Sequence, residues 1–180
     1  MQENIEFKEL SLNNIHNNLL DYFNRYQEVK RCYMYENSNW IIKNNEYIEN
    51  WDKNKKENVI NIFKNTLNDG GYIFGAYDKE KLIGFSVLLN YRFGIKKQYI
   101  ELKYIHVSFE YRNKGIGKKL FELCKEKVKN IGIEKIYISA NSSEETINFY
   151  FGIGCKDAME INKESAENEP YDRQMEYKVE

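Results

Sequence analysis

Apolar residues change their spacing several times along the chain, and each change predicts a different element. Ile5, Phe7 and Leu10 recur loosely over residues 4–10, which predicts a first strand. Ile15, Leu19 and Leu20 then predict a helix over about 12–23. Asp52 has the side chain of an N-cap, and after it Val59, Ile60, Phe63 and Leu67 share one face of a helix that Asn68-Asp69-Gly70-Gly71 ends. Residues 72–77 and 82–90 are β-type runs joined by the polar turn Asp78-Lys79-Glu80-Lys81, so they predict an antiparallel hairpin. A third run, 98–107, leads into a glycine loop. The helix after it sets Ile116, Leu120, Leu123, Val128 and Ile131 opposite Lys118, Glu122, Lys125 and Lys129, and Gly132 suits its end.

Residues 133–140 predict a further strand. Ser142-Ser143-Glu144-Glu145 has the spacing of a capping box and opens a short helix through Tyr150, closed by Gly152 and Gly154. Final β runs over 158–161 and 173–179 complete a largely antiparallel sheet with helices on its faces, an α/β (α+β) fold. Residues 25–51 interleave Tyr, Trp, Glu and Asn without a clean period and leave helix, hairpin and loop open.

Composition narrows the function classes. The 180 residues suit one domain, and 42% hydrophobic with 15% aromatic residues suffice for its core. Lys and Arg number 27 against 28 Asp and Glu, so no basic excess exists to neutralise a nucleic-acid backbone. Cys32, Cys124 and Cys155 are odd in number and widely spaced, and His16 and His106 have no partner at metal-ligand spacing; this predicts no metal and a reducing, cytoplasmic setting. Met1–Lys8 lacks the apolar stretch of a signal peptide, and nothing approaches the roughly 20 apolar residues of a membrane span.

A strand leading into Gly115-Ile116-Gly117 at a helix start gathers backbone N–H groups at the positive end of a helix dipole, a natural seat for phosphate oxygens. Leu120 stands where a dinucleotide fingerprint needs its third glycine, and Arg112 where a P-loop needs its first. The stretch from Glu101 through Arg112-Asn113-Lys114-Gly115-Ile116-Gly117, with Phe149-Tyr150-Phe151-Gly152-Ile153-Gly154-Cys155 downstream, closely resembles the GNAT superfamily of N-acetyltransferases. The likeness covers about 71–155; Ser143 and Thr146 stand where many members have asparagine and alanine.

That resemblance implies a mostly antiparallel mixed sheet of about 6–7 strands, flanked by about 4 helices, whose two central strands splay apart to admit acetyl-CoA. It implies that amides of Arg112, Asn113, Lys114, Gly115, Ile116, Gly117 and Lys118 hold the pyrophosphate. Backbone at Ile105, His106 and Val107 would pair with the pantetheine arm like an added strand, with Ser143 a further contact. It also implies a single domain over 1–180, with a variable acceptor-binding part over about 12–70 and the cofactor part over 71–155.

Making an amide from a thioester needs a base, an oxyanion donor and an acid. Tyr150 matches the family's tyrosine that protonates the departing thiolate, and a phenol of reference pKa about 10 stays protonated at neutral pH. Glu101 stands at the interval of the glutamate that is the base in some members; strict alternation would put it on one face with Lys103 and Ile105 and opposite His106, and its structural alternative is an ion pair with a lysine of a neighbouring strand. An amide near Val107 is the implied oxyanion donor. The expected reaction is acetyl transfer to a primary amine of a small molecule by direct attack through a tetrahedral intermediate. Tyr26, Glu28, Tyr33, Tyr35, Glu36, Trp40, Tyr47, Glu49 and Trp51 offer an acidic, aromatic surface for a cationic antibiotic or polyamine, or else pack a helical layer. A non-catalytic CoA-binding module, or acetylation of a protein or peptide, is the alternative, and monomer and homodimer are both open.

Overall fold

A computed structural model of the protein describes residues 4–179; the start of the N-terminal stretch read for a leader, residues 1–3, lies outside them. Seven strands form one sheet: β1 (Ile5–Glu9), β4 (Tyr72–Asp78), β5 (Lys81–Phe93), β6 (Tyr99–Val107), β7 (Lys135–Ala140), β8 (Lys156–Asp157) and β9 (Arg173–Lys178), in the order β1-β4-β5-β6-β7-β9-β8. Every neighbouring pair is antiparallel except β6 and β7. A separate hairpin, β2 (Gln27–Glu36) and β3 (Asn39–Glu49), turns through Asn37 and Ser38, both at positive φ, as two-residue hairpin turns require. Among the described residues no helix is long and apolar enough to cross a membrane.

Helices α1 (Lys53–Asn68), α2 (Ile116–Asn130), α3 (Glu144–Gly152) and α4 (Lys163–Asn168) flank the sheet. Asp52 caps α1, accepting from the Lys55 amide at 2.7 Å, and the predicted face buries Val59, Ile60 and Phe63 against one side of the sheet with Phe85 and Trp51. Ile116, Leu120, Phe121, Cys124 and Val128 of α2 and Ile147 and Tyr150 of α3 cover the other side.

Four local expectations need correction. Over 12–23 no α-helix forms: a 3-10 turn at Leu12–Asn14 is followed by further i→i−3 turns, while Ile15, Leu20 and Phe23 still reach the core beneath α1. Asn13, Asn14, Asn17 and Asn18 are poor helix formers, and the Asn14 side chain only caps the short turn, Oδ1 accepting from the Ser11 amide at 2.8 Å. The run at 158–161 is not a strand; the Met159 amide donates to the Glu176 carboxylate instead of to a ladder, and Met159 and Ile161 face solvent. Helix α3 is capped by Ser143 rather than Ser142, whose carbonyl is taken by the Tyr33 amide of β2 at 2.8 Å. The aromatics of 25–51 form no helical layer of their own: Tyr33, Tyr35, Trp40 and Tyr47 ride on the hairpin, Tyr26 precedes it and packs edge-on against Phe109, and Trp51 joins the core around Phe23 and Phe85.

The closed end of the β6–β7 pair is held by a buried polar knot. Glu176 accepts from the Tyr99 hydroxyl and from Lys135 Nζ at 3.0 Å. Burial raises the Glu176 pKa, but the Tyr99, Met159 and Lys135 donors outweigh it and leave the carboxyl below its ordinary value. A carboxyl more acidic in the folded chain than in the unfolded one adds stability that is fully present above the unfolded pKa of about 4.3 and disappears as pH falls through the folded value. Glu176→Gln is therefore expected to remove that part of the acid sensitivity in melts between pH 3 and 5. It also leaves Lys135 uncompensated, lowering stability by about 3 kcal/mol at neutral pH in denaturant titrations.

Candidate functional site

Strands β6 and β7 pair over three residues only, Tyr99↔Lys135, Ile100↔Ile136 and Glu101↔Tyr137. Beyond Glu101 they part, so residues 102–107 of β6 and 138–140 of β7 border a wedge with no ladder between them. The splay begins beside an irregularity in β6. Val87 pairs with Tyr104 and Leu88 with Leu102, which leaves Lys103 as an extra, exposed residue.

The bulge corrects the expected alternation. Ile100 and Leu102, then Ile105 and Val107, pack beneath α2, whereas Tyr104 and His106 turn to the side of α1. Glu101 lies on that second side too, where Ser165 Oγ of α4 donates to it at 2.8 Å and Asn162 Nδ2 at 3.3 Å. Glu101 and His106 thus share a face. No lysine pairs with Glu101 among the described residues; its carboxylate is buried and bound to the α4 cap instead. His106 sits among Trp51, Phe85 and Tyr104, and burial, then the charges of Arg25 and Arg112, hold its pKa well below the ordinary value.

Where β6 ends, the chain makes the predicted turn into α2. Asn113 (φ +60°) and Gly115 (φ +78°) adopt left-handed conformations that point successive amides to one side, and Asn113, Lys114, Gly115 and Lys118 are exposed. Helix geometry leaves the amides of Ile116, Gly117 and Lys118 without intrahelical acceptors, while Ile116 anchors the turn in the core. Lys114, Lys118 and Lys119 add positive charge around it. The Arg112 side chain faces away from this turn, donating from Nε to the Val107 carbonyl at 3.1 Å, and so ties the loop to the strand end. These groups fit a diphosphate on the turn and an extended amide-bearing arm along β6.

The two glycines have different reasons. A Cβ on Gly115 would meet nothing within 4 Å, so its positive φ is what requires glycine. A Cβ on Gly117 would come within 3.3 Å of the Phe149 ring, so Gly117 permits α3 to lie against α2. Phe149 precedes Tyr150, a buried residue whose hydroxyl has no hydrogen-bond partner among the described residues. Burial first, then Cys155, Cys124 and Asp172 nearby, raises its pKa, so the phenol is protonated at neutral pH. Ser143 is not part of the open turn: it is buried under the hairpin, its Oγ bonded to Thr146 Oγ1 at 2.8 Å.

Two groups at the wedge carried no signal in the sequence. Asp172, two residues after the lone Pro170, accepts from Ser139 Oγ of β7 at 3.3 Å. Burial, with Glu169 adding, pushes its carboxyl up to about 6. Arg25 is buried between Gln27 (2.9 Å) and Glu49 (2.8 Å), which joins the hairpin to the chain entering it.

A sequence profile described as the Acetyltransferase (GNAT) family matches residues 23–153. No curated protein matches the chain in sequence. Among solved structures, a nourseothricin acetyltransferase is similar at TM-score 0.69 and 13% identity, covering 98% of this chain and 99% of its own. A Bacillus anthracis protein provisionally named a streptothricin acetyltransferase, in complex with acetyl coenzyme A, is similar at TM-score 0.69 and 18% identity over 97% of both chains. A PaiA N-acetyltransferase from Thermoplasma acidophilum, in complex with coenzyme A, is similar at TM-score 0.51 and 26% identity over 71% of both.

Alanine at the glycines separates grip from strain. Gly115→Ala and Gly132→Ala both force alanine to positive φ in open space and are expected to lower stability by a similar amount, about 1 kcal/mol. Calorimetry is expected to show CoA binding weakened, by about tenfold or more, in Gly115→Ala and Gly117→Ala and unchanged in Gly132→Ala.

Proposed function

The chain belongs to the GNAT acetyltransferase family, whose members are acyltransferases using acetyl-CoA, and from that premise we propose that it acetylates a primary amine of a small cationic molecule. The observation that carries this reading is the wedge between β6 and β7, with the amide-rich turn at its mouth, Tyr150 on the α3 side and acidic groups on the other. Residues 71–155 form the cofactor part in this proposal, and the hairpin with the rest of 12–70 shapes the acceptor side. The cosubstrate lies with its diphosphate on the amides of residues 113–118, the Arg112 amide being turned inward to the Phe109 carbonyl at 3.3 Å, and with its arm against Ile105, His106 and Val107.

Tyr150 donates its proton to the departing sulfur. Its raised pKa keeps that proton in place until thiolate charge develops, and a hydroxyl without an internal acceptor is available to an incoming one. The acceptor class is argued from charge. Asp172 lies within electrostatic reach of Glu169 and Glu49, and Tyr47 stands beside them with its hydroxyl on Asn141. A protonated polyamine or an aminoglycoside-like antibiotic is attracted to such a site, whereas an anionic acceptor is repelled. The nourseothricin acetyltransferase and the provisionally named streptothricin acetyltransferase, which share this fold over nearly its whole length, are in keeping with the same class.

Acetyl-CoA consumption across a panel containing streptothricin, spermidine, kanamycin and an acetylatable peptide tests the reading. Thiol release dependent on a cationic small molecule is expected. Release with the peptide alone, or with no amine despite CoA binding, rejects it. Tyr150→Phe should lower kcat about 100-fold with CoA affinity unchanged.

A further inference from the structure

The acid of the reaction has its place on the α3 side of the wedge, but an amine that attacks a thioester must also lose a proton. Glu101 is poorly placed to take it: Ser165 and Asn162 both bond to its Oε2, α4 covers it, and it is 8% exposed. His106 is enclosed by three rings, and its depressed pKa makes it a weak base at neutral pH.

We propose that Asp172 is the catalytic base, taking the amine proton on the face of the wedge opposite Tyr150. This rests on the acetyl-transfer reading above and adds to it the group that completes the proton balance. The placement is geometric. Ser139 belongs to the part of β7 that has left β6, and it alternates with Ile138 and Ala140, which pack beneath α2 and α3; its side chain therefore lies on the other face, with Tyr137. Asp172 meets it there. Among the described residues that single 3.3 Å bond to Oδ2 is the only one its carboxylate makes, so Oδ1 is open to an acceptor. The carboxylate is half-buried, unlike Glu101.

The charges facing Asp172 explain why it is not neutralised. Glu169 from its own segment and Glu49 from β3 are acidic, and Tyr150 of α3 is an uncharged phenol. Arg173, the next residue, is diverted: its Nε and Nη2 bind Asp157 at 2.6 and 2.9 Å, and its guanidinium lies against Trp40, Phe151 and Tyr33. A carboxyl in that setting, raised to about 6, is ionised at neutral pH yet more basic than an ordinary aspartate.

The step balances. The nitrogen lone pair of the uncharged amine adds to the thioester carbonyl carbon, the C=O π pair moving onto oxygen, and collapse of that tetrahedral intermediate re-forms C=O and breaks the C–S bond. The N–H proton passes to Asp172, the Tyr150 proton passes to sulfur, and water returns the proton from Asp172 to the phenolate. The products are an amide and a free thiol.

The test uses the full chain with acetyl-CoA and two probes, streptothricin and spermidine. Wild-type kcat is expected to rise with pH through a midpoint near 6. Asp172→Asn should lower kcat about 100-fold and abolish that limb, with CoA affinity within about twofold, and Asp172→Glu should restore part of the rate and the limb. Glu101→Gln should retain the limb. A limb that survives in Asp172→Asn, or vanishes in Glu101→Gln instead, overturns the assignment while acetyl transfer stands. Failure of wild type to acetylate either probe while binding CoA overturns both. Carbon-13 NMR of the wild-type Asp172 carboxyl gives an answer independent of the variants' folding: a midpoint near 6 that moves when spermidine is added supports the role, and an ordinary value near 4 overturns it.

Discussion

Three backbone pairs between two parallel strands govern this molecule. Tyr99, Ile100 and Glu101 hold β6 to β7, and everything chemical lies where the pairing has stopped. Parallel strands in a continuous sheet have no reason to part, so the divergence must be built at both ends of the contact. At the closed end Glu176 collects Tyr99 and Lys135 in a buried knot that ties β6, β7 and β9 together. At the open end Lys103 bulges from β6, shifting the strand's phase as it turns away. Along the wedge the edge of β6 that faces β7 has no ladder partner, and at its end Arg112 Nε takes the Val107 carbonyl.

The bulge also decides which side chains can cooperate. It sends Ile105 and Val107 toward α2 and His106 toward α1, so the same strand seals one face with hydrophobes and lines the other with polar and aromatic groups. The hairpin is fastened to α3 and to the start of β9. Arg31 grips Glu144 through two hydrogen bonds of 2.7 and 2.8 Å, Arg25 holds Glu49, and Arg173 is stacked between the hairpin's Tyr33 and Trp40 and the Phe151 of α3. Arg173 already covers the hairpin's Tyr33 and Trp40, which is why the proposed cationic acceptor is assigned to the acidic groups near Asp172.

Much of the frame was legible because its signals are local. Asp52 and the stripe Val59, Ile60 and Phe63 define α1, and Asn113 to Gly117 define the turn into α2, since a cap, a period and a positive φ are each set by a few adjacent residues. The departures have equally physical origins. Strand β3 is exposed on both faces, so its residues carry no alternation to read. Helix α4 buries no side chain and shows no stripe. Asn13, Asn14, Asn17 and Asn18 lower helix propensity over 12–23, which folds as successive turns. The bulge at Lys103 is imposed by pairing with β5, which no residue of β6 announces, and so the face of Glu101 was misread by alternation. Asp172 was invisible because its meaning comes from Ser139, 33 residues earlier in the chain.

The contact between Phe149 and Gly117 makes the cleft a measuring device. With that ring wedged against the first turn of α2, the distance from a diphosphate held on the turn, as proposed, to the Tyr150 phenol would be set by two helices in van der Waals contact and not by a flexible loop. Carriers that share coenzyme A's nucleotide but differ by one atom in the length of the arm would hang on the same amides and present their sulfur out of register, so discrimination among thioesters follows from spacing as much as from recognition of the acyl group.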